Sequence, residues 1–253
     1  MTAAQLPMLV TVTATRPLTE RMVRVTLAGD GLVDFDHDGP DHLVRLFIPT
    51  APGEPTLPVT TDWWTELCAM PAATRPVLRN YTVRRLDRDR CELDIDFVLH
   101  GHGEGSGPGS AWARGAVAGD KIGVLSDGAD YRPPADTDWQ LIVGDESALP
   151  AVAAIVEQLR SPAVVLLEVA DAVDELSLEL PADTTVTWLH RGAATRGDTA
   201  LAALRERELP AGTPYAWVAG ESALATGIRR HLVNDRSIAK ERIYFCGYWR
   251  AMP

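Results

Sequence analysis

Lysine is almost absent from this chain: only Lys121 and Lys240 are present, so nearly all of the 24 basic residues are arginines. Acidic residues number 35, which gives a formal net charge of -11. That charge repels a nucleic-acid phosphate backbone on average and argues against nucleic-acid binding. An anionic ligand must therefore meet a local patch of arginines, whose planar guanidinium groups suit bidentate contacts.

Cysteine is also scarce, since Cys68, Cys91 and Cys246 are far apart and form no C-x-x-C pair. This spacing indicates neither a zinc ribbon nor a dense disulfide framework. The first residues have no basic stretch followed by a long apolar one, and no later segment is long enough to span a bilayer. We expect a soluble cytoplasmic protein, and a monomer, because no long heptad pattern is present.

The apolar residues that are present change their period halfway along the chain. From Leu9 to Val124, short segments alternate apolar and polar residues between turn signals, which predicts an antiparallel β-barrel. After Pro133 and Pro134, apolar strands alternate with helix-like segments, which predicts a doubly wound α/β domain. We place the boundary so that residues 1–135 form the barrel domain and residues 136–253 the α/β domain. Two ligands can meet in a cleft between two such domains.

One stretch breaks the rhythm of the barrel half. Residues 50–77 are rich in proline and threonine at their start and contain the adjacent Trp63 and Trp64. We interpret them as an insertion or a long functional loop. The two tryptophans are predicted to pack rather than to contact a ligand, because large aromatic side chains commonly anchor cores.

The strand-like segment LRNYTVRRLD, residues 78–87, carries polar residues that would not build a core. Side chains alternate across a strand, so Arg79 and Tyr81 should point to one face and Thr82 to the other. Such a strand could hold a flat, anionic group.

A glycine-rich segment, HGHGEGSGPGSAWARG at residues 100–115, follows the next strand and leads into a short helical stretch. Gly107 allows a close backbone approach, and Ser110 is a plausible N-cap, so the free amides could form an anion site. The alternative is a flexible hairpin loop. His100 and His102 lack an acidic or thiol partner at ligand spacing, so we do not expect a metal site.

Together these two segments resemble the paired flavin-binding motifs of the ferredoxin-NADP reductase superfamily. The resemblance implies that Arg79 pairs with the FAD pyrophosphate, Tyr81 packs on the isoalloxazine ring and Thr82 hydrogen-bonds near the flavin N5. It also implies that Gly107 and Ser110 hold the pyrophosphate at the helix start.

Five segments in order, RPVLRNYTVRR, DFVLHG with GPGSAWA, GDESALPAV, YAWVAGE and GYWR, resemble the siderophore-interacting protein family. The resemblance implies an FAD-containing ferric-siderophore reductase and adds His100, Gly101 and Trp112 to the flavin site. Two positions depart from the family pattern. Gly109 stands where alanine is usual, which we expect to be harmless, and the end lacks the usual glycine two residues after Arg250.

The turn after the first strand of the second domain carries Asp145, Glu146, Ser147 and Ala148. Acidic residues here are unlike an ordinary Rossmann phosphate loop. The turn could face the flavin or the nicotinamide, or its acids could cap the following helix. Gly220 and Glu221 make an equivalent turn where, by resemblance, related reductases place the nicotinamide.

The identity of the nicotinamide donor stays open. Glu168 and Asp171 end the second strand and could bind the adenosine ribose, which disfavours a 2′-phosphate. Arg191 and Arg196 could instead pair with that phosphate, or be solvated loop charges. NADH and NADPH are therefore both possible.

The resemblance implies hydride transfer from a nicotinamide to flavin N5 and single-electron transfer to chelated ferric iron, whose reduction loosens a hard-oxygen complex. Lys121, Arg132 and Arg250 are candidates for holding the anionic chelate, although each could be a surface ion-pair residue. No protein acid or base is required. The alternatives are a binding protein without turnover and a flavin oxidoreductase using another acceptor, or ferredoxin as its donor.

Overall fold

The structure is a computed structural model that describes residues 6–101 and 107–251. The chain divides into two compact units, Met1–Ala129 and Asp130–Pro253. Each unit is described separately below.

The first unit contains a closed antiparallel barrel in the strand order β1-β2-β5-β4-β3-β6. Its strands are β1 Met8–Thr19, β2 Met22–Ala28, β3 Leu43–Ile48, β4 Val77–Asp87, β5 Glu92–Val98 and β6 Lys121–Gly128. Two helices, α1 Trp63–Ala69 and α2 Pro108–Gly115, and a short 3-10 turn, Asp30–Asp34, complete the described part of this unit. The sequence prediction of a barrel is confirmed.

Alternation along the strands explains why this sequence closes into a barrel. In β2, Val23, Val25 and Leu27 belong to the barrel core, while Arg24 pairs with Asp96 of β5 on the outer side. Burying one face of every strand inside the closed sheet stabilises the barrel mainly through the hydrophobic effect.

The segment 50–77 is an irregular connection that contains α1. Trp63 packs edge-on against Phe47, at 6.0 Å between ring centroids, beside a small outer cluster that includes Leu67. Trp63 is therefore a packing residue, as predicted. Trp64 touches the Trp63 ring but leaves 56% of its surface exposed, so the packing prediction was wrong for that side chain.

The second unit contains a parallel five-stranded sheet in the order β11-β10-β7-β8-β9. The strands are β7 Trp139–Asp145, β8 Ala163–Val169, β9 Thr184–His190, β10 Pro214–Glu221 and β11 Ile243–Trp249. The helices are α3 Leu149–Val156, α4 Asp198–Glu206 and α5 Ser222–Asn234. Three 3-10 turns, Glu146–Ala148, Ala172–Asp174 and Lys240–Arg242, lie between them.

Burial on both faces explains the continuous apolar runs of this unit. Every residue of β7 and β8 is buried, as expected for central strands of a parallel sheet covered by helices. Within this sheet, the chain enters at the central strand β7, continues outward through β8 and β9, and then crosses to β10 on the other side of β7. The neighbours β7 and β10 therefore form the topological switch point, where open α/β sheets commonly bind ligands at the carboxyl ends of their strands.

None of the helices in residues 6–101 and 107–251 is long and apolar enough to cross a membrane. The three cysteines are free thiols, and Cys68 is exposed.

Candidate functional site

Strand β4 presents its side chains to two environments, as its sequence predicted. Val77, Tyr81 and Val83 pack on the barrel core, while Leu78 packs on the outer cluster around Phe47. Arg79 is exposed, and its guanidinium donates to the Leu78 carbonyl oxygen at 2.7 Å. The strand thus offers an accessible cation two residues from a half-buried aromatic ring.

Tyr81 is held between β5 and the first turn of α2. Its ring lies 4.3 Å from the ring of the fully buried Phe97, and Phe97 lies 5.6 Å from Trp112 of α2. The phenol oxygen rests against Gly109, where an added Cβ would overlap it. Burial raises the pKa of Tyr81 to about 12, so the phenol remains protonated at neutral pH.

Helix α2 begins without a side chain that caps its backbone. Gly107 is the N-cap residue, no side-chain cap hydrogen bond is present, and Pro108 occupies the first turn. The prediction that Ser110 is the N-cap was therefore wrong. Ser110 lies inside the first turn, because Pro108 has the fixed backbone angle that favours the first helical position. The first amide groups of a helix have no partner within the helix, and they suit an anion.

The Ser110 side chain instead fixes the loop that precedes the helix. Its hydroxyl accepts from the His100 backbone amide at 3.0 Å and donates to the His100 carbonyl at 3.1 Å. A Cβ on Gly107 would approach the His100 ring to 2.8 Å, and Gly101 has a left-handed φ of 64°. His100, Gly101, Gly107 and Ser110 therefore meet at the start of α2. His102 lies outside the described residues.

Thr82 is buried next to an anchored histidine. The β3 residue Leu43 pairs with Thr82, and the Val83 amide donates to the His42 carbonyl at 2.8 Å. His42 itself is fully buried, and its Nδ1 accepts from the Asp38 amide at 3.0 Å. Because Nδ1 accepts, the neutral ring carries its proton on Nε2 and donates to Ser126 Oγ at 2.9 Å.

We expect the stability of the barrel to depend on pH through His42. Burial, followed by the charge of His37, lowers the pKa of His42 to about 4, and Asp36, Asp38 and Asp127 oppose this shift. The unfolded chain therefore binds the extra proton between about pH 6.5 and pH 4. The contribution of His42 to the free energy of unfolding is therefore fully present above that window and is lost as pH falls through it. The loss is about 2 kcal/mol between pH 7 and pH 5.

Urea unfolding of the parent and of His42→Gln at pH 7 and pH 5 measures this contribution. The variant should be less stable at both pH values, but its loss between them should be smaller by about 2 kcal/mol. Other titrating groups cancel in this comparison. Equal losses in the two proteins would contradict the assignment.

In the second unit, Asp145 at the end of β7 is a buried hydrogen-bond centre. Its carboxylate accepts from the Ser147 amide at 2.9 Å and from the Glu221 amide at 2.7 Å. It also accepts from the Trp249 indole nitrogen at 3.1 Å. Burial raises the pKa of Asp145 above its usual value, and hydrogen bonds from the Ser147 hydroxyl, the Glu221 amide and the Trp249 indole oppose the shift. The C-terminal segment, which departs from the family pattern after Arg250, is thus joined to the switch point through Trp249.

Glu221 at the end of β10 caps helix α5. Its side chain accepts from the amides of Ala223 and Leu224, and its other oxygen accepts from the Ala251 amide at 3.1 Å. Gly220 precedes it with a φ of 141°, and a Cβ there would lie 2.7 Å from the Asp145 carboxyl carbon. Glycine at position 220 therefore leaves the room in which the Asp145 carboxylate accepts from the Glu221 amide.

Glu168 at the end of β8 fills the start of helix α4 in the same way. Its oxygens accept from the amides of Gly197 and Ala200 at 2.8 and 2.9 Å. Arg191 lies 3.4 Å from this carboxylate and also forms a bidentate pair with Glu146 at 2.6 and 3.1 Å. Glu168 is fully buried, and the side chain of Arg191 is 5% exposed.

Three strand ends thus supply carboxylates at this edge of the sheet: Glu168 and Glu221 accept from the starts of α4 and α5, and Asp145 accepts from the 3-10 turn that follows β7. The capping interpretation of the turn after β7 holds for Asp145, which accepts from Ser147, whereas Glu146 pairs with Arg191. Arg191 is a buried ion-pair residue, so the interpretation of it as a solvated charge was wrong. The carboxylate of the buried Glu168 already accepts hydrogen bonds from two amides. Ala148 is buried under the same turn.

The three candidate substrate cations occupy different surroundings. Lys121, in the barrel, forms an ion pair with Glu54. Arg132 is exposed and donates to the Tyr131 carbonyl at 3.1 Å, and Arg250 is exposed after β11. Their role in holding a chelate stays a prediction.

The barrel site has the features that FAD requires. An exposed guanidinium on β4 suits a pyrophosphate, the uncapped start of α2 has backbone amides that suit an anion, and Tyr81 supplies an aromatic surface. A group of three or more histidine, cysteine or acidic side chains suited to a metal is not found in the described part of the chain.

A barrel with such a site, followed by a doubly wound domain, is the architecture of a flavin-dependent oxidoreductase. The family model "Siderophore-interacting FAD-binding domain" matches residues 11–131, and the model "Siderophore-interacting protein" matches residues 137–252. The chain belongs to the siderophore-interacting protein family, and its cofactor is FAD.

Named relatives and solved structures agree with this assignment. The ferric vibriobactin reductase of Vibrio cholerae is 33% identical over 92% of this chain and 85% of its own. The NADPH-dependent ferric-chelate reductase of Escherichia coli is 29% identical over 90% of this chain and 87% of its own. A siderophore utilization protein from T. fusca is 37% identical, with a TM-score of 0.82 over 96% of this chain and 92% of its own.

The fold extends to more distant flavoproteins. The ferredoxin-NADP+ reductase of Plasmodium falciparum is only 11% identical, with a TM-score of 0.69 over 94% of this chain and 95% of its own. This likeness confirms the predicted fold class.

Sequence reasoning missed several residues that shape the site. His42, just before β3, gave no signal, and Phe97 was recognised only as part of DFVLHG. Trp249 was recognised only as part of GYWR, and its bond to Asp145 joins residues 104 positions apart. The glycine at position 109 was noticed, but not the ring that fills its space.

Proposed function

We propose that this protein reduces ferric siderophores, passing electrons from a nicotinamide dinucleotide through FAD to the chelated iron and so releasing it in the cytoplasm. The observation that carries the proposal is the cradle on the barrel, formed by the exposed Arg79, the half-buried Tyr81 and the uncapped start of α2. The names of the Vibrio cholerae and Escherichia coli relatives support a ferric chelate as the substrate.

FAD supplies the conversion of a two-electron donor into one-electron deliveries. In this proposal, the Arg79 guanidinium and the backbone amides of Gly107 and Ser110 at the start of α2 bind the pyrophosphate. Tyr81 orients the ring system, and Thr82 offers a hydroxyl to its edge. His100, Gly101 and Trp112 hold the loop and the helix that complete the cradle. Lys121, Arg132 and Arg250 attract the anionic chelate.

The second domain would hold the donor through hydrogen-bond acceptors rather than a phosphate loop. Asp145, Glu146 and Glu221 carry carboxylates at the switch point, and these repel phosphate but can accept from ribose hydroxyls or an amide. Ser147, Ala148 and Gly220 give the turns their shape. The Escherichia coli relative's name favours NADPH as the donor. The carboxylates that fill the helix starts favour the second candidate, in which ferredoxin replaces the dinucleotide.

An anaerobic experiment in two stages tests the proposal. First, NADH, NADPH and reduced ferredoxin are each added to the FAD-loaded protein while bleaching of the flavin absorbance is recorded. Second, flavin reduced with dithionite is freed of excess reductant and mixed with a ferric catecholate or a ferric hydroxamate. Reoxidation of the flavin with stoichiometric trapping of ferrous iron is expected.

The second stage is independent of the donor. Reduced flavin that leaves both chelates unreduced would contradict the ferric reductase assignment and favour a flavin oxidoreductase acting on another acceptor. Chelate binding without bleaching by any donor and without iron reduction would favour a binding protein without turnover.

We also propose that the protein acts as a monomer in a reducing compartment. Free thiols at Cys68, Cys91 and Cys246 are typical of such a setting. Light scattering of the FAD-loaded protein should give the mass of one chain, and the mass of a dimer would contradict the proposal.

A further inference from the structure

The phenol of Tyr81 lies in a space that exists because residue 109 has no side chain. A Cβ built on Gly109 would overlap the phenol oxygen and lie 3.1 Å from Cζ and 3.3 Å from Cε2 of the same ring. The three atoms nearest to that position all belong to Tyr81. Residue 109 and Tyr81 therefore compete for one volume.

Conformational freedom does not explain this glycine. Gly109 lies inside α2 and is not among the glycines with positive φ, so an alanine could adopt its backbone conformation without strain. Alanine is also the better helix former. What position 109 lacks is room for a methyl group, and the occupant of that room is the phenol.

The Tyr81 ring also packs against a buried side chain of the barrel core. Phe97 is fully buried in the barrel core, 4.3 Å from the Tyr81 ring and tilted by 44°. Close-packed interiors resist displacement of a ring of this size. A methyl group at position 109 would therefore move Tyr81 outward, away from α2, rather than deeper into the barrel.

We propose that Gly109 is a positioning residue for Tyr81: because it has no side chain, the phenol can sit against α2 while the ring packs on Phe97, and this sets where Tyr81 meets the flavin. This inference deepens the proposed function and rests on the packing of Tyr81 against FAD. It also revises the expectation that glycine at position 109 is a harmless departure, because alanine there would require the phenol of Tyr81 to move.

A double-mutant cycle tests the inference. FAD dissociation constants are measured by flavin fluorescence for the parent, Gly109→Ala, Tyr81→Phe and the double variant. Gly109→Ala should weaken FAD binding about tenfold in the parent but less than about threefold in the Tyr81→Phe background, because contacting residues show non-additive effects. The phenylalanine of the Tyr81→Phe variant lacks the phenol oxygen that the methyl group would overlap.

A second readout needs no flavin. In the FAD-free protein, ultraviolet titration should show that Gly109→Ala returns one tyrosine from a pKa of about 12 toward 10, since the displaced phenol regains contact with water. Gly115→Ala is the matched control, because a Cβ at the other end of α2 meets no atom within 4 Å. It should change neither the titration nor FAD binding.

If Gly109→Ala weakened FAD binding equally in both backgrounds, the inference would be overturned, because the substitution would then act through the backbone of α2 and not through Tyr81. An unshifted tyrosine titration would overturn it as well. A parent protein that fails to bind FAD would instead contradict the proposed function, and the tyrosine titration would still decide the role of Gly109.

Discussion

Replacing Arg79 with alanine should yield a folded protein that is purified with little or no flavin colour. The guanidinium is exposed on β4, where its loss leaves no buried group unpaired, so the barrel should keep its stability. A hydrogen bond to a charged group contributes about 1.5–3 kcal/mol, which corresponds to about 10- to 150-fold in the FAD dissociation constant. Visible absorption of the purified protein and titration with added FAD measure the effect.

Two variants sharpen this test. Arg79→Lys keeps the charge but loses the planar fork, so it should recover only part of the affinity. Arg85→Ala is the matched control, because Arg85 lies on the same strand, its side chain is 69% exposed, and its guanidinium lies 3.9 Å from the Asp87 carboxylate. If Arg85→Ala weakened FAD binding as much as Arg79→Ala, the effect would be explained by general electrostatic attraction and not by a specific contact between Arg79 and phosphate.

Replacing Glu168 with alanine should strongly destabilise the second domain. The substitution removes the acceptor of two buried amides, those of Gly197 and Ala200, and leaves Arg191 with Glu146 as its partner. Removing one member of a buried charged group costs about 3–5 kcal/mol. Urea unfolding followed by circular dichroism measures this loss.

The control for Glu168 lies at the far end of the helix whose start it fills. Glu206 is the last residue of α4 and is exposed, so Glu206→Ala should change the stability by no more than about 0.5 kcal/mol. The loss of stability in Glu168→Gln should fall between those of Glu168→Ala and Glu206→Ala, because the glutamine side chain keeps one acceptor oxygen. A loss for Glu168→Ala no larger than that for Glu206→Ala would show that the buried carboxylate contributes little.

The architecture could be predicted from the sequence because secondary structure leaves a local record. The period of two in β2 and the continuous apolar run of β8 are set by backbone geometry over a few residues, and both strands form as predicted. The helix α1 was missed because seven residues rich in tryptophan, within a proline-rich segment, give no clear period.

The site could be predicted only in part. Arg79, Tyr81 and Thr82 stand in one short motif, so the alternation of a strand was enough to place their side chains. Ser110 was misplaced as an N-cap, since the residue that begins a helix is decided by the chain on both sides of it.

By itself, the sequence determined the two-domain architecture and the family to which the chain belongs. Only the tertiary structure decided that Trp249 donates to Asp145, that Glu168 fills the start of α4 and that Tyr81 occupies the space left at Gly109. The physical reason is distance along the chain. A strand period is fixed by neighbouring residues, whereas the partner of a buried carboxylate or phenol is chosen by packing between segments far apart in sequence.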